Sequence, residues 1–527
     1  VQESLLLFVL LSAIVGIAVV AKRFRVPYPI AFVLGGSLLA FVPNLPHFAL
    51  SPDWVFLIFL PPLLYAGGWT TDWKMFKANL RPIMLLAIGL VVFTTGFVAV
   101  VAHALLPALG WAEAFALGAV VSPPDAVAAG SVFERFTVPR RILTILDGEG
   151  LVNDGTALVI YQFAIAAAVT GTFSPAKAGL AFVAVSVGGV AVGMLFGWVT
   201  LTLFEKLHQA QLSDYLIDNV IQLLAPYAIY LSANFVHVSG VLATVTAGVY
   251  VSRKSSTIFE PEGRLVASSV WDILVFLLNG LVFLLIGLEL RTIVSNPQFA
   301  PVHLWVGAAI TALVVLLRFA WVYPATYAPR AMFKRIREHE TRPRWNYVFI
   351  VAWSGMRGIV SLAAALALPR TLADGAPFPG RSQIILVTFC VIFGTLVFQG
   401  LSLIPLLKWL HIEDGDDLAR RELEVRIAAL RAGVERLRQL EPGFNSTEEW
   451  EVEGRLLGEY DYRIAHLRGH VNGKTETGSV ALDHRLQQEA LEAERHEVLR
   501  MRDEGEIPDE VFRKIEYDLD LANERLT

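Results

Sequence analysis

The chain has 527 residues, 55% of them hydrophobic and only 17% charged, with a formal net charge of −5, whereas an ordinary soluble domain is about 25% charged. Residues 1–410 carry 26 Lys/Arg and 19 Asp/Glu, about 11% of that stretch, and the last 117 residues carry 17 and 29, about 39%. A single cysteine, Cys390, set in an apolar run, excludes a disulfide scaffold, and an acidic tail behind an apolar body whose basic residues sit in short loops excludes a nucleic-acid binder.

Taken in order, the apolar runs between charged or Pro/Gly-rich breaks predict about thirteen membrane spans, near 4–21, 29–45, 54–69, 82–107, 111–133, 142–170, 177–204, 215–237, 239–251, 268–290, 303–327, 346–368 and 382–410. The first lacks a basic leader and is followed by Lys22, Arg23 and Arg25, so it reads as a span rather than a signal peptide. From His411 the composition turns acidic at Glu413-Asp414-Gly415-Asp416-Asp417. It then becomes helix-like, with Leu418, Leu423, Ile427, Leu430, Val434, Leu437 and Leu440 three to five apart up to a stop at Glu441-Pro442-Gly443. Further amphipathic stretches near 448–469, 482–503 and 508–525 complete a small helical domain, either a stabilising appendage or a sensor of pH or ligand. Its His466, His470, His484 and His496 are too scattered for a metal site. The expected domains are therefore a transmembrane domain over 1–410 and a charged helical domain over 411–527.

Orientation follows from the loops, because translocating Lys and Arg is disfavoured. Alternate loops hold 19 basic residues, among them Lys74, Arg81, Arg141, Arg253, Arg330, Arg342 and Arg344, and the others hold four, Lys177, Arg291, Arg370 and Arg381. That bias predicts a multi-pass protein of the cell membrane with its N-terminus outside, its tail inside and an odd number of spans. Thirteen divides as six, a linker and six, with the second six inverted relative to the first, the plan of secondary transporters. The fifth span of each half carries a break, Ser122-Pro123-Pro124-Asp125 in one and Ser354-Gly355-Met356-Arg357-Gly358 in the other. Proline removes backbone donors and glycine relaxes the helix, so both spans are expected to unwind near the midplane.

An ionisable group at the bilayer centre costs at least about 2.5–3.5 kcal/mol, so each one inside a span needs a reason. The clearest cluster is Glu149-Gly150-Leu151-Val152-Asn153-Asp154 in the sixth span, where residues 150, 153, 154 and 157 share a helix face lined by small residues, with room for an ion. Desolvation penalises a charged carboxylate, and a proton or a monovalent cation relieves the penalty equally. Competition between the two at Asp154 is all the chemistry an exchanger needs. Asn153 adds an amide oxygen as a hard ligand or braces the carboxylate. Asp125 is a helix-break residue or a ligand, and Ser122 is a further oxygen at that break, although a serine in an apolar helix is commonly satisfied by its own backbone. Arg318 and Arg357 both require a counter-ion, and Glu149 is the carboxylate left for one of them. Such a pair fixes helices rather than carrying protons. Asp272, Glu289 and Arg291, near the ends of the tenth span, read as interfacial anchors.

At Glu149-Gly150-Leu151-Val152-Asn153-Asp154 the sequence resembles the monovalent cation/proton antiporters, specifically the bacterial NhaP-like and animal NHE-like Na+/H+ exchangers. The likeness extends to Leu60-Pro61-Pro62-Leu63-Leu64, Ser122-Pro123-Pro124-Asp125, Arg318 before Val322-Tyr323-Pro324, and Gly355-Met356-Arg357-Gly358. The resemblance implies an all-α membrane fold of two inverted six-helix repeats with crossed broken helices (NhaA/NhaP-like), a homodimer, and separate dimerisation and ion-binding core subdomains. It implies that Asp154 alternately carries a proton and a cation, that Asn153 supports it, and that Glu149 pairs with Arg318. Electroneutral alternating-access exchange of Na+, K+ or Li+ for H+, serving pH and cation homeostasis without a cofactor, follows from the same resemblance. Three departures, Ala66 and Gly150 in place of polar residues and Pro124 in place of the threonine of a Thr-Asp-Pro, leave Na+ over K+ preference open. Against the rivals, a channel of this architecture needs no titratable carrier, and an intramembrane enzyme would need a nucleophile–base pair or a metal motif that the sequence lacks.

Overall fold

The computed structural model describes residues 2–43, 52–136, 138–171, 174–212, 214–259, 261–295, 301–339, 342–372, 375–412, 417–440, 446–471 and 478–504, with 506–508, 511–512, 515–516, 518–520 and 522 beyond them. The acidic run at Glu413–Asp416 and the stop at Glu441-Pro442-Gly443 lie outside the described residues, as do the side chains of Lys177, Leu418, His470 and His484. The chain forms two compact units, Val1–Glu413 and Asp414–Thr527.

The first unit is built of helices, with one isolated antiparallel bridge between Thr371 and Pro377 among the described residues. In chain order these are α1 Gln2–Phe24, α2 Tyr28–Leu39, α3 Val55–Thr70, α4 Leu80–Leu105, α5 Trp111–Val121, α6 Ala126–Phe133 and α7 Arg140–Thr170. They continue as α8 Pro175–Gln209, α9 Tyr215–Phe235, α10 Gly240–Ser252, α11 Pro261–Val294, α12 Pro301–Met332, α13 Trp345–Trp353, α14 Ile359–Leu366 and α15 Arg381–Trp409. Among the described residues eight helical segments are long and apolar enough to cross a membrane, and α2, α3 and α10 are shorter apolar helices. The protein is a multi-pass membrane protein, nearly all-helical among the described residues.

The outside of this unit is apolar. Val15 and Val19 on α1, Val183 and Val187 on α8, and Leu224 and Leu231 on α9 are exposed, and only 11% of the most apolar stretch of α8 is buried. In water such a surface would aggregate, whereas acyl chains satisfy it. Inside, α2 packs along α11, α10 fills the space between α3 and α8, and α5 lies between α4 and α7. Gly36 and Gly287 set the closest of these approaches, because a Cβ on either would run into the facing backbone. Glu289 departs from the anchor reading: it is buried, on the α11 face that also buries Leu285 and Ile293 one turn to either side.

Among the described residues three helices are locally wound as π-helix, Val55–Phe59 in α3, Leu85–Leu90 in α4 and Thr395–Gln399 in α15. Such turns free backbone and side-chain groups for partners elsewhere. The Trp321 indole donates to the Leu85 carbonyl at 2.9 Å, and Thr395 and Gln399 both reach the second helix break.

In the second unit α16 Asp417–Leu440 and α17 Thr447–Val471 form an antiparallel hairpin around Ile427, Val434 and Ile464. It is followed by α18 Gly478–Asp503. The Arg502 guanidinium stacks 4.6 Å from the centre of the Phe512 ring, and Arg495 pairs with Asp520.

Candidate functional site

The two broken spans meet at their breaks. Proline at 123 and 124 cannot donate, so α5 stops at Val121, and the chain runs extended through Asp125 before α6 begins. Opposite, α13 stops at Trp353 and α14 begins after Gly358. The Asp125 backbone N–H donates to the Met356 carbonyl at 2.6 Å, and Arg357 Nε donates to the Val121 carbonyl at 3.1 Å. One unwound segment thus satisfies the other.

Each of the four half-helix ends meets a charge of the opposite sign to its dipole. Arg357, buried, sits at the C-terminal carbonyls of α5 through Val121 and also donates to the Gly355 carbonyl. Arg318 Nε donates to the Val351 carbonyl in the last turn of α13 at 3.1 Å. The Asp125 carboxylate caps α6 by accepting from the Val127 N–H at 2.9 Å. It also rests against Gly358 at the start of α14, where an added Cβ would fall on Asp125 Oδ2. Both positive helix starts therefore face one carboxylate.

The helix α7 crosses beside this junction and brings three of the predicted residues to it. Glu149 takes a bidentate pair from Arg318, Nη1 to Oε1 at 2.5 Å and Nη2 to Oε2 at 2.7 Å, with both side chains buried. Its oxygens are thereby committed, and Arg318 is the partner rather than Arg357. Asn153 is fully buried, and its Nδ2 donates to the Pro124 carbonyl at 2.7 Å. That bond fixes the amide orientation and leaves Asn153 Oδ1 buried without a hydrogen-bond partner among the described residues. Asp154, next in the chain, is half-buried, and among the described residues its carboxylate accepts no hydrogen bond. It lies close enough to Asp125 for their charges to repel.

The geometry separates the carboxylates by availability. Glu149 is locked by an arginine and Asp125 is occupied with two helix starts, while Asp154 is open. An unpaired buried acceptor such as Asn153 Oδ1 costs stability unless a donor, water or cation fills it, so this junction offers an incoming hard cation an anionic and a neutral oxygen. The Ser122 hydroxyl is buried and donates to the Ala119 carbonyl at 3.1 Å in its own helix, a bond that uses its hydrogen and leaves the oxygen lone pairs uncommitted.

Position 150 is steric: a Cβ on Gly150 would come 2.6 Å from the Ala126 Cβ, so its lack of a side chain lets α7 approach the start of α6. Sequence reasoning missed Thr395 and Gln399. Thr395 Oγ1 accepts from the Arg357 N–H at 3.1 Å and Gln399 Nε2 donates to the Trp353 carbonyl at 2.9 Å. Their only signal was a pair of polar residues in an apolar run.

The profile of the sodium/hydrogen exchanger transmembrane family matches residues 9–409. The chain belongs to this family. Among its relatives is a sodium, potassium, lithium and rubidium/H+ antiporter of Bacillus subtilis, 33% identical, the match covering 97% of this chain and 76% of that one. A second is an Escherichia coli protein named as an uncharacterised Na+/H+ exchanger, YjcE, 31% identical over 98% of this chain and 97% of the relative. In fold, this exchanger is similar to the sodium proton antiporter MjNhaP1 of Methanocaldococcus jannaschii, with a TM-score of 0.55 at 17% identity, covering 78% of this chain and all of that one. The family is one of transporters and not of enzymes.

Proposed function

We propose that the protein is a secondary antiporter that exchanges a monovalent cation, Na+ or K+, for H+ across the cell membrane by alternating access, with Asp154 as the carrier. The single observation that carries this reading is that, among the described residues, the Asp154 carboxylate accepts no hydrogen bond and the buried Oδ1 of Asn153, its neighbour in the chain, has no partner. A carboxylate without a fixed partner binds a proton or a cation but not both, and Asn153 supplies a neutral oxygen to the cation alone. With one carrier, one proton trades for one monovalent cation and no net charge moves. Asp125, Arg357 and the Glu149–Arg318 pair hold the crossed helix ends in place around that event.

The basic loops support an outside N-terminus and a cytoplasmic C-terminal domain over 411–527. The apolar outer faces of α1 and α8 offer surface for a homodimer scaffold against which the core moves. Both Na+ and K+ stay in the proposal because the B. subtilis relative's name includes both.

The test is reconstitution into proteoliposomes loaded with a pH-sensitive dye, with Na+, Li+ and K+ added in turn at several pH values. Proton movement upon cation addition, independent of an imposed membrane potential and lost in Asp154→Asn, is the expected result. No proton movement from intact protein, or activity surviving Asp154→Asn, refutes it.

A further inference from the structure

A second charged feature lies at the other end of the core helices, away from the junction. A cavity of about 320 Å³ opens where α4, α7, α12 and α13 come together. Five arginines line it, Arg81, Arg141, Arg330, Arg342 and Arg344, and no carboxylate is among the described lining residues. Arg141 Nε donates to Asn79 Oδ1 at 2.9 Å, Arg330 donates to the Thr326 carbonyl, and the Arg342 guanidinium lies 5.3 Å from the centre of the Tyr327 ring. Arg330 is buried at 9% exposure.

Two helix starts add to the field. The α7 helix begins after Pro139 and α13 after Arg344, both lining residues; neither of these two residues caps its helix with its side chain, and in the first turn of α13 the Tyr347 N–H donates to Asn346 Oδ1 at 3.0 Å. Free N–H groups at a helix start and planar guanidinium forks are the two protein groups best matched to phosphate oxygens. The inner wall is aliphatic, with Leu86, Ile145, Val322 and Val351 among its residues. At its flank the exposed apolar side chains of Met332, Phe333 and Trp345 follow or precede the arginines in sequence, and tryptophan at such a position marks a membrane–water interface. A soluble phosphate would use the arginines alone, whereas an acyl chain also uses the aliphatic wall.

We infer that this cavity binds a phosphate-bearing anion carried on an apolar tail, that is, an anionic phospholipid whose headgroup phosphate sits among the five arginines. The lipid would touch α4, α7, α12 and α13 together. Through Val351, whose carbonyl receives Arg318, it would brace the helix that ends at the second break.

The experiment is thermal unfolding of the purified full chain in detergent, titrated with dioctanoyl phosphatidylglycerol, dioctanoyl phosphatidylcholine or inorganic phosphate. Arg342→Gln/Arg344→Gln removes two exposed cavity arginines, and Lys74→Gln/Lys206→Gln removes two exposed charges outside it. Phosphatidylglycerol is expected to raise the melting temperature well beyond phosphatidylcholine. The cavity variant should need at least about tenfold more of it for half the shift, and the control variant should match the parent. Equal shifts from the two lipids, or a cavity variant indistinguishable from the control, overturn the inference. Inorganic phosphate reproducing the full shift at the same concentration assigns the site to a free anion and overturns the lipid as its source.

Discussion

Asn153 and Pro124 join α7 to the first broken span through one hydrogen bond of 2.7 Å between a buried amide and the carbonyl just before Asp125. The bond does two things at once. It fixes where α7 stands against the break, and it leaves the buried amide oxygen with no donor to accept from among the described residues. Asn153→Ala should leave the Pro124 carbonyl unsatisfied and cost about 1–3 kcal/mol, read as a lower melting temperature. It should also weaken apparent Na+ affinity. Asn153→Asp keeps the volume but donates only when protonated, so its loss of stability should grow as pH rises. A melting temperature for Asn153→Asp that is flat with pH would mean the amide is not the brace.

The Glu149–Arg318 pair is buried on both sides, so removing one partner strands the other charge. Glu149→Gln is expected to cost about 3–5 kcal/mol and to appear as poor yield and aggregation in size-exclusion chromatography. Arg318 also caps α13 through the Val351 carbonyl, so Arg318→Met should be worse than Glu149→Gln. The double variant Glu149→Leu/Arg318→Met should fold better than either single change because no lone charge remains. Equal behaviour of all three would show that the charges are not what holds the helices.

Gly150 lets α7 stand against Ala126. Gly150→Ser should therefore push α7 from the start of α6 and cost about 1–3 kcal/mol by overpacking, with the loss recovered in Gly150→Ser/Ala126→Gly. A serine that leaves melting unchanged and raises cation affinity would mean the site has room for the extra ligand after all.

These residues also mark how far the sequence could be read. Both breaks were legible because Pro123-Pro124 and Gly355/Gly358 declare themselves through backbone chemistry, and the expensive charges were legible because so few occur in the spans. What occupies those charges was harder to read. Carbonyls leave no mark in a sequence, so nothing in it pointed from Arg357 to Val121 or from Arg318 to Val351. Glycine is ambiguous in the same way. At position 150 it read as a missing ligand, and the geometry makes it a point of close approach. Glu289 read as an interfacial anchor from its place near a span end, but helix rotation buries it.

Proton and cation competition at Asp154 predicts a specific kinetic form. If both bind one carboxylate, acidification on the side where Na+ binds fills it with protons and the apparent KM for Na+ rises, while saturating Na+ restores the rate. Once the carboxyl is mostly protonated the rise should approach about tenfold per pH unit, and in alkaline solution it should vanish. Dye-loaded proteoliposomes titrated with Na+ at a series of external pH values measure it directly. Asp154→Glu, which keeps a titratable group but displaces it by one methylene, should shift the curve along the pH axis without changing its limiting slope. A constant KM with a maximal rate that falls on acidification would instead place the titrating group outside the cation site. Asp154 would then have to be replaced as carrier by another of the junction's carboxylates.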